Sequence, residues 1–594
     1  MGAVIDTAGA AAASAGMRIE KNGVIPVLEL DDLNVWFADR DRRGGETQIL
    51  NGISLAIAPG ERVGLVGESG CGKTTTILAA MGLLPSSASV SGRVLLDGAD
   101  ILPGGEKTIR SHRWTDIAMV FQGAMNSLNP VKTVGWQIAE AMRVHRVRTG
   151  AAADRRVDEL LDMVGIPVAR RHAFPHELSG GMRQRAVIAM ALACDPRVLL
   201  ADEPTTALDV IVQAQILRLL TDLASELHLA LVLVTHDLGV VAETCDRAAV
   251  MLGGRIIEAG TIGELYYRGQ HPYTRKLFAS TPSLKDAKPR DVVAESSALL
   301  EVSDLRVSFP IRRSRKASSA DGSGAARAHR LVAVDGISFE VARGEFVALV
   351  GQSGCGKTTT AQSVLGVTEI DSGAVTLRGE TIVGLRRRAL KDMRRRVQMI
   401  YQDPYESLDE RFRVRQTLEE PLRIHGIGDA ASRRRAAAEA LERVALSADY
   451  LERYPHELSG GQRQRVSIAA CLVLQPDLLL ADEPVSMLDV TLRLGILELL
   501  NELRRGSSLG ILMITHDLST AAAYADRIVV MSDGRIVEAG PSYSVVHHPQ
   551  AEYTKQLLAA VPDPQPADAG VGVDGGVGAG VGAGAETEAG APRV

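Results

Sequence analysis

"GESGCGKTTT" at residues 67–76 returns as "GQSGCGKTTT" at residues 351–360. It does not return alone. "LSGGMRQR" (178–185) comes back as "LSGGQRQR" (458–465), "LLADEPTTALDV" (199–210) as "LLADEPVSMLDV" (479–490), and "VTHDL" (234–238) as "ITHDL" (514–518). The spacing is 284 from Lys73 to Lys357 and then holds at 280 for Gln122/Gln402, Ser179/Ser459, Asp202/Asp482 and His236/His516. One small net deletion therefore separates two collinear copies. The repeat unit is a domain of roughly 250 residues, far longer than the units of a solenoid.

Each copy reads as α/β. "RVGLVG" and "FVALVG" are short apolar runs ending in glycine, which suits buried strands, and "TTTILAAMGLL" after the glycine loop reads as a helix. "RVLLADEP" and "ALVLVTHD" are further strands that end in acidic or histidine-bearing polar residues. Strands alternating with helices predict a parallel sheet with functional groups at the strand ends. Residues of about 100–175 and 380–455 are more charged and more helical, and are expected to form an inserted helical subdomain.

The chemistry sits at those strand ends. Gly67-x4-Gly72-Lys73-Thr74 and Gly351-x4-Gly356-Lys357-Thr358 fit the phosphate-binding P-loop pattern. Glycines let the backbone wrap phosphates, and successive N–H groups at a helix start favour negative charge. The lysine neutralises phosphate oxygens and the threonine hydroxyl suits Mg²⁺. Asp202 and Asp482 end apolar strands, where a carboxylate can hold the metal through water. Glu203 and Glu483 follow directly and suit a general base for an attacking water. His236 and His516, as neutral imidazoles, suit a hydrogen bond to the terminal phosphate.

A formal net charge of −6 argues against bulk nucleic-acid binding. The five cysteines show no CxxC spacing, which argues against zinc modules and a disulfide framework and fits a reducing cytoplasm. No apolar run is long enough to span a membrane. Residues 1–25 are expected to be a flexible tail, and the Gly/Ala/Val-rich residues 561–594 a disordered one. The domains then fall at 26–279 and 299–560, joined by a linker at 280–298. The connection between Phe309 and Gly336 is twelve residues longer than that between Phe37 and Gly52. It carries the basic stretch 312–330, read as a solvated hairpin loop or a lipid-headgroup or RNA contact.

Together these residues resemble two fused ATP-binding cassette (ABC) ATPase domains, each with a RecA-like α/β core, a β subdomain and a helical signature subdomain. The resemblance spans nearly everything between residues 27 and 560. It implies ATP and Mg²⁺ as ligands. ATP contacts are implied for Gly67, Ser69, Gly70, Gly72, Lys73, Thr74 and Thr75, and for Gly351, Ser353, Gly354, Gly356, Lys357, Thr358 and Thr359. It makes Gln122 and Gln402 the Q-loop residues, which touch Mg²⁺ or water and report to the membrane partner. Phe37 and Phe309 become the aromatics that stack on adenine, with plain core packing as their alternative. Asp209 and Asp489 become the D-loop residues that cross the interface. The signature Ser179, Gly180 and Gly181, with Met182 in place of glutamine, would serve the nucleotide on Lys357. Ser459, Gly460, Gly461 and Gln462 would serve the nucleotide on Lys73. Two competent sites, formed by head-to-tail pairing within one chain, are implied.

"HPYTRKLF" (271–278) and "HPQAEYTKQLL" (548–558) resemble the C-terminal segment of oligopeptide/dipeptide-type importer ATPases, with an insertion expected between His548-Pro549 and Tyr553 in the second. The implied protein is a peripheral subunit on the cytoplasmic face of the inner membrane. Its partners would be two transmembrane permease subunits and an extracytoplasmic solute-binding protein, and it would energise uptake of peptides or a related solute such as glutathione. The alternative is a soluble double-cassette ATPase acting on the ribosome. Such proteins join their cassettes by a long helical linker, which Pro282 and Pro289 disfavour here.

Overall fold

The structure is a computed structural model that describes residues 25–38, 45–123, 127–206, 208–290, 298–310, 330–403 and 407–565. The N-terminal tail up to residue 24, residues 311–329 of the basic insertion and residues 566–594 lie outside the described residues.

Each copy begins with a four-stranded antiparallel sheet. In the first, its order is Glu46–Ile57, Leu28–Ala38, Ala88–Leu96, Ala99–Asp100. Along Leu28–Ala38 the buried positions are Leu28 and Leu30, then Leu33 and Val35. The phase slips by one residue at Asp32, which has a left-handed φ of 49° where the ladder is irregular. That bulge keeps Leu28, Leu30, Leu33 and Val35 on the inner face. The second copy repeats the slip at Asp304, φ 44°, between Val302 and Leu305. Its first two strands are paired as far as Phe309–Leu331 and Pro310–Arg330.

The second sheet has six strands, ordered Arg255–Thr261, Arg247–Leu252, Arg62–Val66, Ala230–Val234, Val198–Asp202, Ile117–Val120. Only the first of these runs antiparallel. Ala230–Val234 and Val198–Asp202 are buried at every position, as expected of parallel strands covered on both faces. The second copy repeats the sheet with Arg535–Pro541, Arg527–Ser532, Phe346–Gly351, Gly510–Thr515, Leu478–Asp482 and Val397–Ile400. In each copy the glycine loop, the Asp-Glu pair and the histidine all leave the carboxyl edge of the sheet, on adjacent strands.

The helical subdomain of the first copy comprises Val134–Val144, Ala151–Met163 and Gly180–Ala191, sharing buried Ile138, Met142, Val157, Leu161 and Ile188. Its extent corrects the expected 100–175 and 380–455. Ile117–Val120 and Val397–Ile400 are core strands, and the signature helices belong to the helical bundle. No described helix is long and apolar enough to cross a membrane.

The two cassettes exchange their ends. The short helical turn Leu284–Asp286, which follows the first cassette, packs on helix Leu518–Tyr524 of the second. Within the stretch 561–594 expected to be disordered, Pro562 and Asp563 instead lie on the first cassette. A Cβ on Gly239 would stand 2.7 Å from Pro562 O, and Asp563 N–H donates to Glu243 Oε1 at 3.2 Å. The two tails meet where Ser283 Oγ donates to Asp563 Oδ1 (2.9 Å) and Lys285 Nζ pairs with Asp563 Oδ2 (2.7 Å). Ser283 and Asp563 are 280 residues apart, the offset of the duplication, so the internal twofold axis passes between them.

Candidate functional sites at the carboxyl edges of the sheets

Strand Arg62–Val66 runs into Gly67, whose φ is 152°. Gly72, at φ 104°, precedes helix Lys73–Ala80. Both positions exclude a side chain on two counts. A Cβ on Gly67 would stand 2.3 Å from Met251 O, and one on Gly72 2.5 Å from Leu50 Cδ2. The would-be contacts recur at Gly351, 2.2 Å to Met531 O, and at Gly356, 2.3 Å to Ala333 O, of which Gly356 also has left-handed backbone at φ 104°. Glycine at 67 and 351 thus lets the loop pass directly against the neighbouring strand.

The lysine ammonium is buried and folded back on that loop. Lys73 Nζ donates to Gly67 O at 2.8 Å and Glu68 O at 2.9 Å; Lys357 Nζ donates to Gly351 O at 2.7 Å and Gln352 O at 2.8 Å. The next residue's hydroxyl meets the strand-end aspartate: Thr74 Oγ1 to Asp202 Oδ1 at 3.2 Å, Thr358 Oγ1 to Asp482 Oδ1 at 3.4 Å. Burial pushes the Asp202 carboxyl up to about 6, against the pull of the Thr74 hydrogen bond, and pushes Asp482 up as well. A buried carboxylate beside a threonine hydroxyl, its pKa held up by burial, fits a divalent cation.

Glu203 and Glu483 occupy left-handed backbone, φ 43° and 45°, each held by its N–H to the adjoining strand at Val234 O and Ile514 O, both 2.9 Å. Glu203 accepts from Gln122 Nε2 (2.8 Å), His236 Nδ1 (2.9 Å) and Thr206 Oγ1 (3.0 Å). Glu483 accepts from Gln402 Nε2 (2.9 Å) and His516 Nδ1 (3.0 Å). A carboxylate only accepts, so Nδ1 carries the proton in both histidines. Burial raises the Glu203 carboxyl, but hydrogen bonds from His236, Thr206 and Gln122 outweigh it and bring it to about 2. Burial also raises Glu483, but its hydrogen bond and attraction to His516, with the Lys357 charge, outweigh it and lower it; His516 is raised by its bond to Glu483. Both glutamates are therefore ionised and aimed by their neighbours, at the same strand end as the aspartates.

The signature serines cap helices. Ser179 Oγ accepts Met182 N–H (3.3 Å) and Ser459 Oγ accepts Gln462 N–H (3.4 Å). Gln462 goes further. Its Oε1 accepts Ser459 N–H (3.0 Å) and its Nε2 donates to Tyr450 Oη (3.1 Å), closing a reciprocal box that Met182 has no polar atoms to make; Met182 packs on the first core. Among the described residues neither serine hydrogen-bonds to the opposite P-loop. The D-loops do reach across: Ser69 N–H donates to Asp489 Oδ1 at 2.5 Å, Gln352 Nε2 to Asp209 Oδ1 at 3.1 Å, and Thr491 Oγ1 to Glu68 Oε1 at 2.8 Å.

Phe37 is half-buried against the core of its β subdomain, while Phe309 is 41% exposed on the equivalent strand. The expected insertion before Tyr553 is absent. Gln270 and His271 N–H groups bind Glu258, and Gln550 and Ala551 N–H groups bind Glu538. All these pairs, with Tyr273 and Tyr553, are 280 apart. His548-Pro549 is thus a chance match three residues upstream, and Ala551-Glu552 stand where the first copy has His271-Pro272. Sequence reasoning passed over those two tyrosines as functional residues. Each accepts a P-loop N–H, from Glu68 at 3.1 Å and from Gln352 at 3.2 Å; the constant 280 spacing was the available signal.

Comparison with known proteins agrees with this geometry. The ABC transporter family model matches residues 50–206 and 334–486, and the "Oligopeptide/dipeptide transporter, C-terminal region" model matches 257–304 and 537–579. The glutathione import ATP-binding protein GsiA of Pectobacterium atrosepticum is 41% identical over 573 residues, covering 91% of this chain and 90% of its own. The peptidoglycan transport ATP-binding protein YejF of Agrobacterium fabrum is 42% identical over 541 residues, covering 90% and 96%. GsiA of Escherichia coli is 40% identical over 576 residues, covering 91% and 90%. The chain therefore belongs to the ATP-binding proteins of the ABC transporters, as a double-cassette ATPase of the oligopeptide/dipeptide importer type with that group's C-terminal region after each cassette.

Proposed function

We propose that this chain supplies both ATPase sites of an importer for short peptides or a related solute such as glutathione. It would sit on the cytoplasmic face of the membrane against two permease subunits, which take solute from an extracytoplasmic binding protein. The observation that carries the proposal is the crossing of the D-loops, with each aspartate on the opposite P-loop. One composite site would join Lys73, Thr74, Gln122, Asp202, Glu203 and His236 to Ser459, Gly460, Gly461 and Gln462. The other would join Lys357, Thr358, Gln402, Asp482, Glu483 and His516 to Ser179, Gly180, Gly181 and Met182. Packing supports the pairing: a Cβ on Gly461 would stand 3.1 Å from Leu492, and one on Gly181 2.7 Å from Val212, so each signature lies against the helix behind its own D-loop.

In each site the lysine would leave its loop carbonyls for the phosphates, and the backbone N–H groups would cradle them. Thr74 with Asp202, and Thr358 with Asp482, would hold Mg²⁺, with Gln122 and Gln402 nearby; the ion supplies charge neutralisation at the phosphates. Glu203 and Glu483 would take a proton from the attacking water, held in place by the glutamine and histidine that already bind them. Phe37 and Phe309 are proposed to stack on adenine. The domain limits proposed are 26–279 and 299–560.

The peptide reading of the solute rests on the oligopeptide/dipeptide region after each cassette and on relatives named for glutathione and peptidoglycan transport. The same region weighs against the ribosomal alternative. The test is co-purification of the tagged chain from solubilised membranes. Two permeases should come with it, and ATPase activity after reconstitution should rise with binding protein loaded with short peptides or glutathione. Recovery with ribosomes and without permeases would refute the proposal.

A further inference from the structure

Each P-loop is gripped by a side chain that belongs to neither the loop nor the adjoining strands. Glu68 N–H donates to the hydroxyl of Tyr273, 205 residues later, and Gln352 N–H to the hydroxyl of Tyr553, 201 residues later. The P-loops are 284 residues apart and the tyrosines 280, so the contact has been rebuilt across a change in spacing. Both tyrosines open short helices, Pro272–Ala279 and Glu552–Ala559. Their entry is fixed by two backbone N–H groups bound to one carboxylate, Glu258 in the first copy and Glu538 in the second. Both rings also pack on their cassette's main core. The ring thus has a packing role, whereas the hydroxyl meets the P-loop.

We propose that Tyr273 and Tyr553 are positioning residues for nucleotide binding: their hydroxyls hold the first variable residue of each P-loop in place when the lysine lets go. The inference rests on the nucleotide reading given above. Lys73 Nζ ties down the carbonyls of Gly67 and Glu68. A phosphate that draws the ammonium away removes both ties at once. The Tyr273 bond to Glu68 N–H is independent of that ammonium and remains. Burial, reinforced by the Glu68 charge, pushes the Tyr273 phenol up to about 12, so it stays a neutral acceptor at physiological pH. On its other side Glu68 accepts the Thr491 hydroxyl of the opposite cassette at 2.8 Å. The residue at the head of this P-loop is therefore clamped between its own C-terminal segment and the facing D-loop helix.

The test is calorimetric titration of the full-length chain with MgATP, in a Lys357→Ala background that silences the second site. Tyr273→Phe keeps the ring and removes the one acceptor. ATP affinity at the Lys73 site should fall about three- to ten-fold, because the freed loop must be ordered again on binding, with the melting temperature of the unliganded chain lowered by no more than the roughly 2–4 °C that one lost hydrogen bond costs. Tyr553→Phe in the same background should leave that affinity unaltered, and the pattern should reverse in a Lys73→Ala background. Unchanged affinity in Tyr273→Phe would overturn the proposal. So would an equal loss at both sites, which would mark a general structural role. Failure of the unsubstituted chain to bind ATP would overturn the nucleotide reading itself, and this inference with it.

Discussion

Replacing Glu203 and Glu483 together by glutamine separates binding from chemistry. The carboxylate of Glu203 receives three donors within 2.8–3.0 Å, from Gln122, His236 and Thr206. A glutamine keeps the length and one acceptor oxygen, but its NH₂ must face one of those donors. The structural cost is about one hydrogen bond, ~1 kcal/mol at most for a site partly open to solvent. The left-handed backbone at φ 43° costs glutamine what it costs glutamate, so the strand end stays put. The catalytic cost is far larger. Losing a general base slows turnover by about 10²–10⁴, or ~3–5 kcal/mol of barrier. The double variant should therefore fold, retain ATP through gel filtration and release almost no phosphate. Single variants add information: independent sites would leave each with the turnover of its intact half, whereas sites that fire together would bring each single variant down to the double. Phosphate release by the double variant at the unsubstituted rate would refute the assignment of these glutamates.

Two further expectations concern the differences between the copies. Asp209 Oδ1 caps its own helix through Val212 N–H at 3.0 Å as well as meeting Gln352, whereas Asp489 makes no cap bond and serves only the opposite P-loop. Asp209→Ala should cost about 1 kcal/mol of stability, read by calorimetry as a first-cassette melting temperature lower by about 2–4 °C, while Asp489→Ala should leave the melting of its own cassette in place. Gln462→Met should cost about 1–2 kcal/mol in the second cassette by opening the capping box and freeing Tyr450; Met182→Gln should shift the first cassette less, because the new box is offset by lost packing on the core.

Much of this was legible in the chain because duplication prints each motif twice. The glycines at 67 and 72, the Asp-Glu pairs and the histidines were found by repetition, and the parallel strands by their unbroken apolar runs. The helical subdomain was misplaced because short core strands such as Ile117–Val120 have no alternation to distinguish them from a helix segment. A second HP dipeptide at 548–549 drew the C-terminal alignment off by three residues; only the backbone bonds to Glu258 and Glu538 set the register. The docking of Pro562 and Asp563 was hidden by the low-complexity sequence that follows them, and no local pattern announces a contact between Ser283 and Asp563.

The exchange of chain ends has a consequence for what the connecting segment does. Each cassette is held to the other by its own trailing residues, through Leu284 on one side and Pro562 with Asp563 on the other, and by both D-loops. Two separate half-length polypeptides cut between residues 290 and 298 would carry the same fastenings. Covalent fusion adds stoichiometry: it delivers one copy of each half and, at the high local concentration of a short tether, disfavours pairs of like halves. Under that restriction the halves can diverge safely. A D-loop aspartate released from capping and a signature without its glutamine are each tolerable when the opposite half is always the other one.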